Sequence, residues 1–239
     1  MRLAGLDMAW RPDHNPSGLA VGTLKAGNVL LTHWSVAQRN VNELVFELAN
    51  HTLDGIAIDA PLIINNASGQ RACEAELNRV FRSAKAGCHP SNLSLYPDAP
   101  SVALANLLRG MGFVHLGKAR RFMFECYPHP SMVELFGWRE RLLYKRGSVQ
   151  ERKEGQVALA SALRSLQTAK LGLSIPGDMQ NRLEPDYIRS LKGGAVKDNE
   201  DALDALMCLY IAALYATGVE GYCFGDIQNG YVWVPKGLA

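Results

Sequence analysis

The sequence lacks the features by which exported, membrane-spanning and zinc-ribbon proteins are commonly identified. Its five cysteines are scattered and contain no Cys-x-x-Cys pair, so neither a disulfide framework nor a zinc ribbon is indicated. Asp7 precedes any apolar segment that could serve as a signal peptide, and the longest apolar stretch, 205–216, is well short of the roughly 18 to 20 residues that span a bilayer. We therefore expect a cytoplasmic protein that does not insert into membranes.

A glycine-rich phosphate loop and a strong excess of one charge are also missing. No G-x-x-x-x-G-K-[ST] pattern occurs, which argues against a nucleotide site of that kind. The 25 Lys and Arg residues nearly balance the 23 Asp and Glu residues. Such a balance does not demand nucleic acid as a partner, but it permits a local basic face. With 239 residues, 48% of them hydrophobic and 20% charged, the composition is that of a globular protein, which excludes disordered and fibrous classes.

Apolar runs separated by turn residues predict an α/β order of elements. The chain begins with three predicted strands that form a meander, at 2–8, 17–24 and 28–35. A helix that Asn40 or Asn42 caps continues to His51, and a nearly all-apolar strand, 55–60, comes after it. Because this strand is apolar on both faces, we expect it in the middle of the sheet, covered on both sides.

The later part of the chain predicts more helix than strand. We interpret 62–120 as a helical insertion within a single domain, 1–239. The other predicted elements are a strand at 122–127, helices at 131–136, 151–171 and 199–216, and a terminal hairpin with strands at 222–224 and 231–234. This order predicts an α/β fold with an RNase H-like mixed sheet, made of a three-strand meander and parallel strands, that is flanked by helices and followed by a C-terminal hairpin.

Three acidic residues, Asp7, Asp59 and Glu125, share one position relative to the predicted strands. Each follows or ends an apolar run and is followed within a few residues by a turn. Ligands bind at the carboxyl ends of strands in open α/β sheets, and a carboxylate there carries a desolvation cost that a partner must offset. Taken singly, each acid has an alternative role, which is to accept a hydrogen bond from the backbone of the next turn.

Asp201 and Asp204 are three residues apart on one predicted helix and therefore lie on the same face of it. Acidic residues stabilise the first turn of a helix through its dipole, which is an alternative explanation for Asp201. Asp204 resists that explanation, because the helix around it is apolar nearly all round and a buried unpaired carboxylate is costly. Acids from separate strands and from a buried helix suggest a shared divalent cation such as Mg²⁺.

Six short motifs, in order along nearly the whole chain, resemble those of the domain-of-unknown-function (DUF) 429 family. They are GLDMAW at 5–10, IDAPL at 58–62, GCHPSN at 87–92, ECYPHP at 125–130, YKRG at 144–147 and LDAL at 203–206. Members of that family are commonly described as predicted RNase H-like nucleases. The resemblance implies an RNase H-like fold and a suspected nuclease activity.

A wider similarity is to Holliday-junction resolvases, which carry a first-strand Asp, a fourth-strand acid and an Asp-x-x-Asp pair at the start of the last helix. Asp7, Asp59, and Asp201 with Asp204 match those positions. The fourth-strand acid is here Asp rather than Glu, and Glu125 is additional. Which of Asp59 and Glu125 contacts metal therefore stays open.

Basic residues are concentrated between positions 118 and 153, where nine Lys or Arg stand against four acids. Lys145 and Arg146 are the best candidates in this region for contacts with phosphate groups. The alternative is an ordinary solvated surface. His129 follows Glu125 closely enough to act on a scissile phosphate as acid or base, or it is a loop histidine between two prolines.

The function that the sequence favours is metal-dependent hydrolysis of phosphodiester bonds in DNA or RNA. The acids would hold two Mg²⁺ or Mn²⁺ ions as ligands, without acting as nucleophiles. Two alternatives remain: an ATP-using phosphotransferase of the actin-like superfamily, which would show a duplicated sheet, and a non-catalytic module that binds nucleic acid or protein. The oligomeric state is open, and a homodimer is compatible with the sequence.

Overall fold

In a computed structural model that describes residues 1–12, 14–118 and 121–237, the chain forms a mixed α/β fold around a seven-stranded sheet. The strands of this sheet are β1 (Arg2–Asp7), β2 (Ser17–Lys25), β3 (Asn28–Ala37), β4 (Gly55–Asp59), β5 (Val114–His115), β6 (Phe122–Glu125) and β7 (Gly172–Ser174). The helices are α1 (Val41–Asn50), α2 (Ala72–Phe81), α3 (Pro100–Gly110), α4 (Pro128–Phe136), α5 (Val149–Ser165), α6 (Pro185–Ser190) and α7 (Gly194–Ala216). An antiparallel hairpin follows α7 and consists of β8 (Gly221–Asp226) and β9 (Gly230–Pro235).

The strand order across the sheet is β5-β6-β4-β1-β2-β3-β7. β1, β2 and β3 are antiparallel neighbours, as a meander requires. β4 is parallel to β1, β6 is parallel to β4, and the short strands β5 and β7 join the two edges in parallel. The predicted α/β fold, with a meander, parallel strands, flanking helices and a C-terminal hairpin, is thereby confirmed.

Helices cover both faces of the sheet. α1 and α3 pack on one face, where their leucines meet Ala4, Leu6, Val21 and Ile58 of the sheet. α5 and α7 pack on the other face. β4 has buried side chains on both faces and lies between β1 and β6, which explains its nearly all-apolar sequence.

The ends of three predicted helices are corrected by the structure. The helix predicted at 151–171 ends at Ser165, and a 3-10 turn and β7 follow it. The helix predicted at 131–136 begins three residues earlier, at Pro128, because proline is well tolerated in a first helical turn. α7 begins at Gly194 rather than Asn199, so Asp201 lies well inside the helix and its first-turn explanation is wrong.

The segment 62–120 contains α2, α3 and β5, so it is rich in helix as predicted, and its last strand also extends the main sheet. α2 packs against the C-terminal hairpin, where Cys73, Leu77 and Phe81 contact Phe224 and Val232. The description of this segment as an insertion within a single domain stays a prediction. None of the helices in the described ranges combines the length and the apolar character that crossing a bilayer requires.

Two glycines let α7 lie directly against the sheet. A Cβ atom on Gly5 of β1 would come within 2.0 Å of the Leu209 backbone nitrogen and 2.3 Å of the Ala205 carbonyl oxygen. A Cβ atom on Gly18 of β2 would lie 2.2 Å from the carbonyl oxygen of Asp201. Real Cβ atoms do not approach other atoms so closely, so any side chain at either position would push the helix away from the sheet.

We predict that Gly5→Ala lowers the free energy of unfolding by at least about 1 to 3 kcal/mol, because the added methyl group meets backbone atoms that cannot rotate away. Gly110→Ala is the matched control, since nothing lies within 4 Å of a Cβ atom there. Urea denaturation of both variants measures the effect. Equal stability of the Gly5 variant and the wild type would show that the glycine is not needed for the approach of α7.

Candidate functional site

Asp7 and Asp59 are the last residues of β1 and β4, and they are direct partners in the parallel register of these strands. Partners in a parallel pair point to the same face of the sheet, and neighbouring strands are about 4.8 Å apart. Both residues line a cavity of about 460 Å³ at the carboxyl ends of the strands. The sheet therefore places two of the predicted acids side by side.

α7 brings two further acids to the same place. Asp201 lies in α7 where the helix crosses Gly18, the residue that pairs with Asp7 across β1 and β2. Asp204 follows one turn later and is 0% exposed. Its charge raises the pKa of both Asp7 and Asp59. Asp7, Asp59, Asp201 and Asp204 are named the acid cluster below.

Two lysines bring positive charge to the acid cluster. The ammonium group of Lys145 lies 2.7 Å from Oδ2 of Asp204, and the hydroxyl of the buried Tyr144 donates to Oδ1 of Asp204 over 2.6 Å. Lys197 donates to the carboxylates of Asp201 and Glu200. The side chain of Lys145 is 29% exposed and lines the cavity, so Lys145 contacts the buried Asp204 and also faces the cavity.

The pKa shifts in the acid cluster follow from burial and mutual repulsion. Burial raises the pKa of Asp7 well above its usual value; Lys145 lowers it, but Asp204, Asp59 and Asp201 raise it further. Burial, and then the charges of Asp204 and Glu125, likewise raise the pKa of Asp59 to about 7, although Lys145 and Lys197 oppose that rise. Burial alone would lower the pKa of Lys145, but the negative charges around it hold that pKa well above its usual value. The lysine therefore stays protonated and partly offsets an excess of negative charge.

Glu125 faces the same cavity but is bonded to an arginine. Nη1 and Nη2 of Arg71 donate to its two carboxylate oxygens over 2.9 and 2.6 Å, and the backbone nitrogen of Leu62 donates to Oε2. Arg71 also donates through Nε to Glu74, and all three charged side chains are buried. Burial raises the pKa of Glu125, and Arg71 opposes that rise. This geometry favours Asp59 over Glu125 as the second acid available to a ligand.

Arg71 is a residue of the site that the sequence analysis missed. The signal was Glu125 itself, because a glutamate on a buried strand requires a cationic partner. The sequence offers many arginines and does not say which of them is near. Arg71 precedes α2, so the pair also ties the 62–120 segment to the end of β6.

His129 is the second residue of α4, is only 6% exposed, and lies with its ring between those of Tyr127 and Tyr144. Its Nδ1 atom is buried and has no hydrogen-bond partner among the residues that the structure describes. Burial and then the charge of Lys145 lower the pKa of His129 to about 3. The imidazole is therefore neutral at physiological pH and lines the cavity beside the acid cluster.

The basic region between positions 118 and 153 is divided among several roles. Its residues that line the cavity are Arg141, Lys145 and Arg146. Nη2 of Arg146 lies 3.2 Å from Nε2 of His89. Lys153 is buried and donates to a backbone carbonyl of α6. Arg120 falls outside the described residues.

The spacing of possible metal ligands distinguishes the acid cluster from a preformed metal site. In a preformed site, ligand atoms of three or more His, Cys, Asp or Glu side chains lie within 4.8 Å of one another. Among the described residues, only His33, Glu47 and His51 meet this condition, and none of them lines the cavity. The carboxylate oxygens of the acid cluster do not meet this distance condition. Its donors are nevertheless hard oxygen atoms, which suit Mg²⁺ or Mn²⁺.

In a comparison with protein families, the model described as "Protein of unknown function (DUF429)" matches residues 5–228. The matched range contains every residue of the acid cluster, Glu125, His129 and both candidate phosphate-binding residues. A comparison with curated proteins found no match.

We predict that Asp59→Asn changes stability in a pH-dependent way. The pKa of Asp59 in the folded protein, about 7, is above its usual value of 3.8. Protonation of Asp59 therefore contributes stability that is fully present below about pH 4 and is lost as the pH rises through 7. Asparagine removes this loss, so the free energy of unfolding of the variant relative to wild type should increase from pH 5 to pH 8.

Urea denaturation at pH 5, 6, 7 and 8 measures this difference. Asp226→Asn is the control, because hydrogen bonds from Asn229 and Gln228 lower the pKa of this exposed residue, and its effect should be constant over that range. A constant difference for Asp59→Asn would mean that Asp59 is not held in a repulsive, buried environment.

Proposed function

The chain belongs to the DUF429 family, and from the geometry of its site we propose that it is a divalent-metal-dependent nuclease that hydrolyses phosphodiester bonds of DNA or RNA. The observation that carries the proposal is the acid cluster, in which two neighbouring strands and a buried helix bring Asp7, Asp59 and Asp201 to one cavity, with the buried Asp204 behind them against Lys145. The meander followed by parallel strands agrees with the RNase H-like sheet that the family resemblance implies.

The acid cluster has the donor chemistry of a Mg²⁺ or Mn²⁺ site. Asp7, Asp59 and Asp204, with Asp201 beside them, are the residues that would hold the ions, and Glu125 is engaged by Arg71 instead. Burial, and then the charges of neighbouring carboxylates, raise the pKa of Asp7 and Asp59, and a cation held between the acids would offset both effects. Two such ions would supply polarisation of an attacking water and stabilisation of the leaving oxygen.

In this proposal Lys145 has two roles, one towards the acid cluster and one towards the phosphate of a substrate. Its ammonium group offsets the charge of Asp204 and, through space, that of Asp7 and Asp59. If the acids held a divalent cation, the ammonium group would be available to a phosphate oxygen in the cavity. Arg146 and Arg141 line the same cavity and would add further contacts to the phosphate backbone.

His129 would act through a hydrogen bond rather than as a general acid. A histidine with a pKa of about 3 is a neutral imidazole at neutral pH. It lacks the second ring proton that a general acid would donate. Its unpartnered Nδ1 can instead accept from or donate to a water molecule in the cavity. We therefore assign it the positioning of water or of a phosphate oxygen.

A second function is favoured by one observation. The acids do not converge as closely as metal ligands do, and Lys145 already neutralises Asp204. Both facts also fit a non-catalytic module that binds nucleic acid or protein with the same fold. No observation favours the phosphotransferase alternative. The described residues form one seven-stranded sheet and one hairpin rather than a duplicated sheet.

We predict that the wild type cleaves at least one nucleic acid with Mn²⁺ and that Asp204→Asn reduces the rate at least about 100-fold. Removing a metal ligand costs several kcal/mol of transition-state stabilisation, and each 1.36 kcal/mol is tenfold in rate. The substrates are fluorescent single-stranded DNA, duplex DNA, a four-way DNA junction and single-stranded RNA. The matched control is Asp226→Asn, which changes an exposed aspartate of the hairpin.

Chelator added to each reaction shows whether cleavage depends on metal, and the comparison of the two variants, purified in the same way, separates cleavage by this protein from contamination. Binding of a substrate without cleavage by the wild type would favour the non-catalytic module. Cleavage by the Asp204 variant at the wild-type rate would contradict the assignment of the acid cluster.

A further inference from the structure

A second group of possible metal ligands lies on the opposite face of the sheet from the acid cluster. His33 belongs to β3 and pairs with Val21, whose side chain is buried with the leucines of α1. Glu47 lies in the last turns of α1, and His51 is the residue that caps the C-terminal end of that helix. These three side chains therefore meet between β3 and α1.

The three side chains are already close together. Nε2 of His33 lies 3.2 Å from Oε1 of Glu47, and the ring centroids of His33 and His51 are 4.9 Å apart. Each residue offers one ligand atom such that all three atoms lie within 4.8 Å of one another. Glu47 and His51 are four residues apart, the spacing that places two side chains on one face of a helical turn.

The chemistry of this group differs from that of the acid cluster. Two imidazoles and one carboxylate are the donor set of late first-row transition metals, whereas Mg²⁺ prefers oxygen ligands alone. The side chains are only partly buried, so an ion has access from solvent.

Arg39 is the group that competes with a cation here. Its guanidinium pairs with Oε2 of Glu47 and also donates from Nη2 to Oε1 over 3.1 Å. His33 is likewise shared, because Nε2 lies 2.9 Å from the hydroxyl oxygen of Ser35. Glu47 can keep Arg39 through Oε2 while Oε1 turns to a metal ion, so binding would exchange the contact of Oε1 with Nη2 of Arg39 and the contact of His33 Nε2 with Ser35.

We propose that His33, Glu47 and His51 form a binding site for a transition-metal ion such as Zn²⁺. Three protein ligands leave a fourth tetrahedral position for water. Because the ligands come from β3 and from the end of α1, a bound ion would fasten that helix to the sheet. The site does not depend on the nuclease proposal, since it shares no residue with the acid cluster.

Calorimetric titration of the full chain with Zn²⁺, in the presence of millimolar Mg²⁺ as a competitor at oxygen-only sites, tests this proposal. We expect one Zn²⁺ site in the wild type and affinity at least about tenfold weaker in His33→Ala, Glu47→Gln and His51→Ala. His14→Ala and Cys223→Ser are the controls, since both residues are exposed and lie outside the group; their affinity should equal that of the wild type.

The melting temperature provides a second readout. Zn²⁺ should raise it in the wild type and in both controls, because a ligand that binds only the folded state stabilises it. Zn²⁺ should not raise the melting temperature of Glu47→Gln. This variant keeps the shape of the side chain, so its result does not depend on whether the alanine variants fold correctly. Failure of the wild type to bind Zn²⁺, unchanged affinity in Glu47→Gln, or loss of binding in Cys223→Ser would overturn the proposal.

Discussion

Repulsion among the buried carboxylates of the acid cluster is the constraint on which the rest of the site depends. Burial raises the pKa of Asp7 and Asp59, and repulsion from neighbouring carboxylates raises it further. The site therefore needs positive charge beside the acids. Lys145 and Lys197 supply this positive charge to Asp204 and Asp201. Arg71 pairs with Glu125 and so neutralises a further acid at the same cavity.

The backbone creates this crowding before any ligand is considered. Gly5 and Gly18 remove the side chains that would keep α7 at an ordinary distance from the sheet, and Asp201 and Asp204 come down beside the ends of β1 and β4 as a result. Helix packing and electrostatics are thus opposed at this point. A fold selected for stability alone would place apolar side chains there, so we interpret the retained charges as functional.

The sequence predicted the parts of the structure that local patterns determine. Apolar runs located the meander and β4, and the acids that end β1 and β4 meet as expected because parallel strands share an edge. Distant pairing was not accessible: Arg71 is 54 residues from Glu125, and periodicity does not indicate which arginine approaches. The start of α7 at Gly194 and the three-residue strand β7 were missed because tertiary packing decides them. The His33, Glu47 and His51 group requires the register of β3 against α1, which no local motif reveals.

The most direct test of the account is a crystal structure of the protein soaked in Mn²⁺, with the anomalous scattering of manganese used to locate the ion. The account predicts an anomalous peak at a coordination distance of about 2.1 Å from carboxylate oxygens of Asp7 and Asp204. It also predicts that the Lys145 ammonium group has moved away from Asp204. Absence of a peak at saturating Mn²⁺, with Lys145 still paired to Asp204, would contradict the central claim that the acid cluster is a metal site.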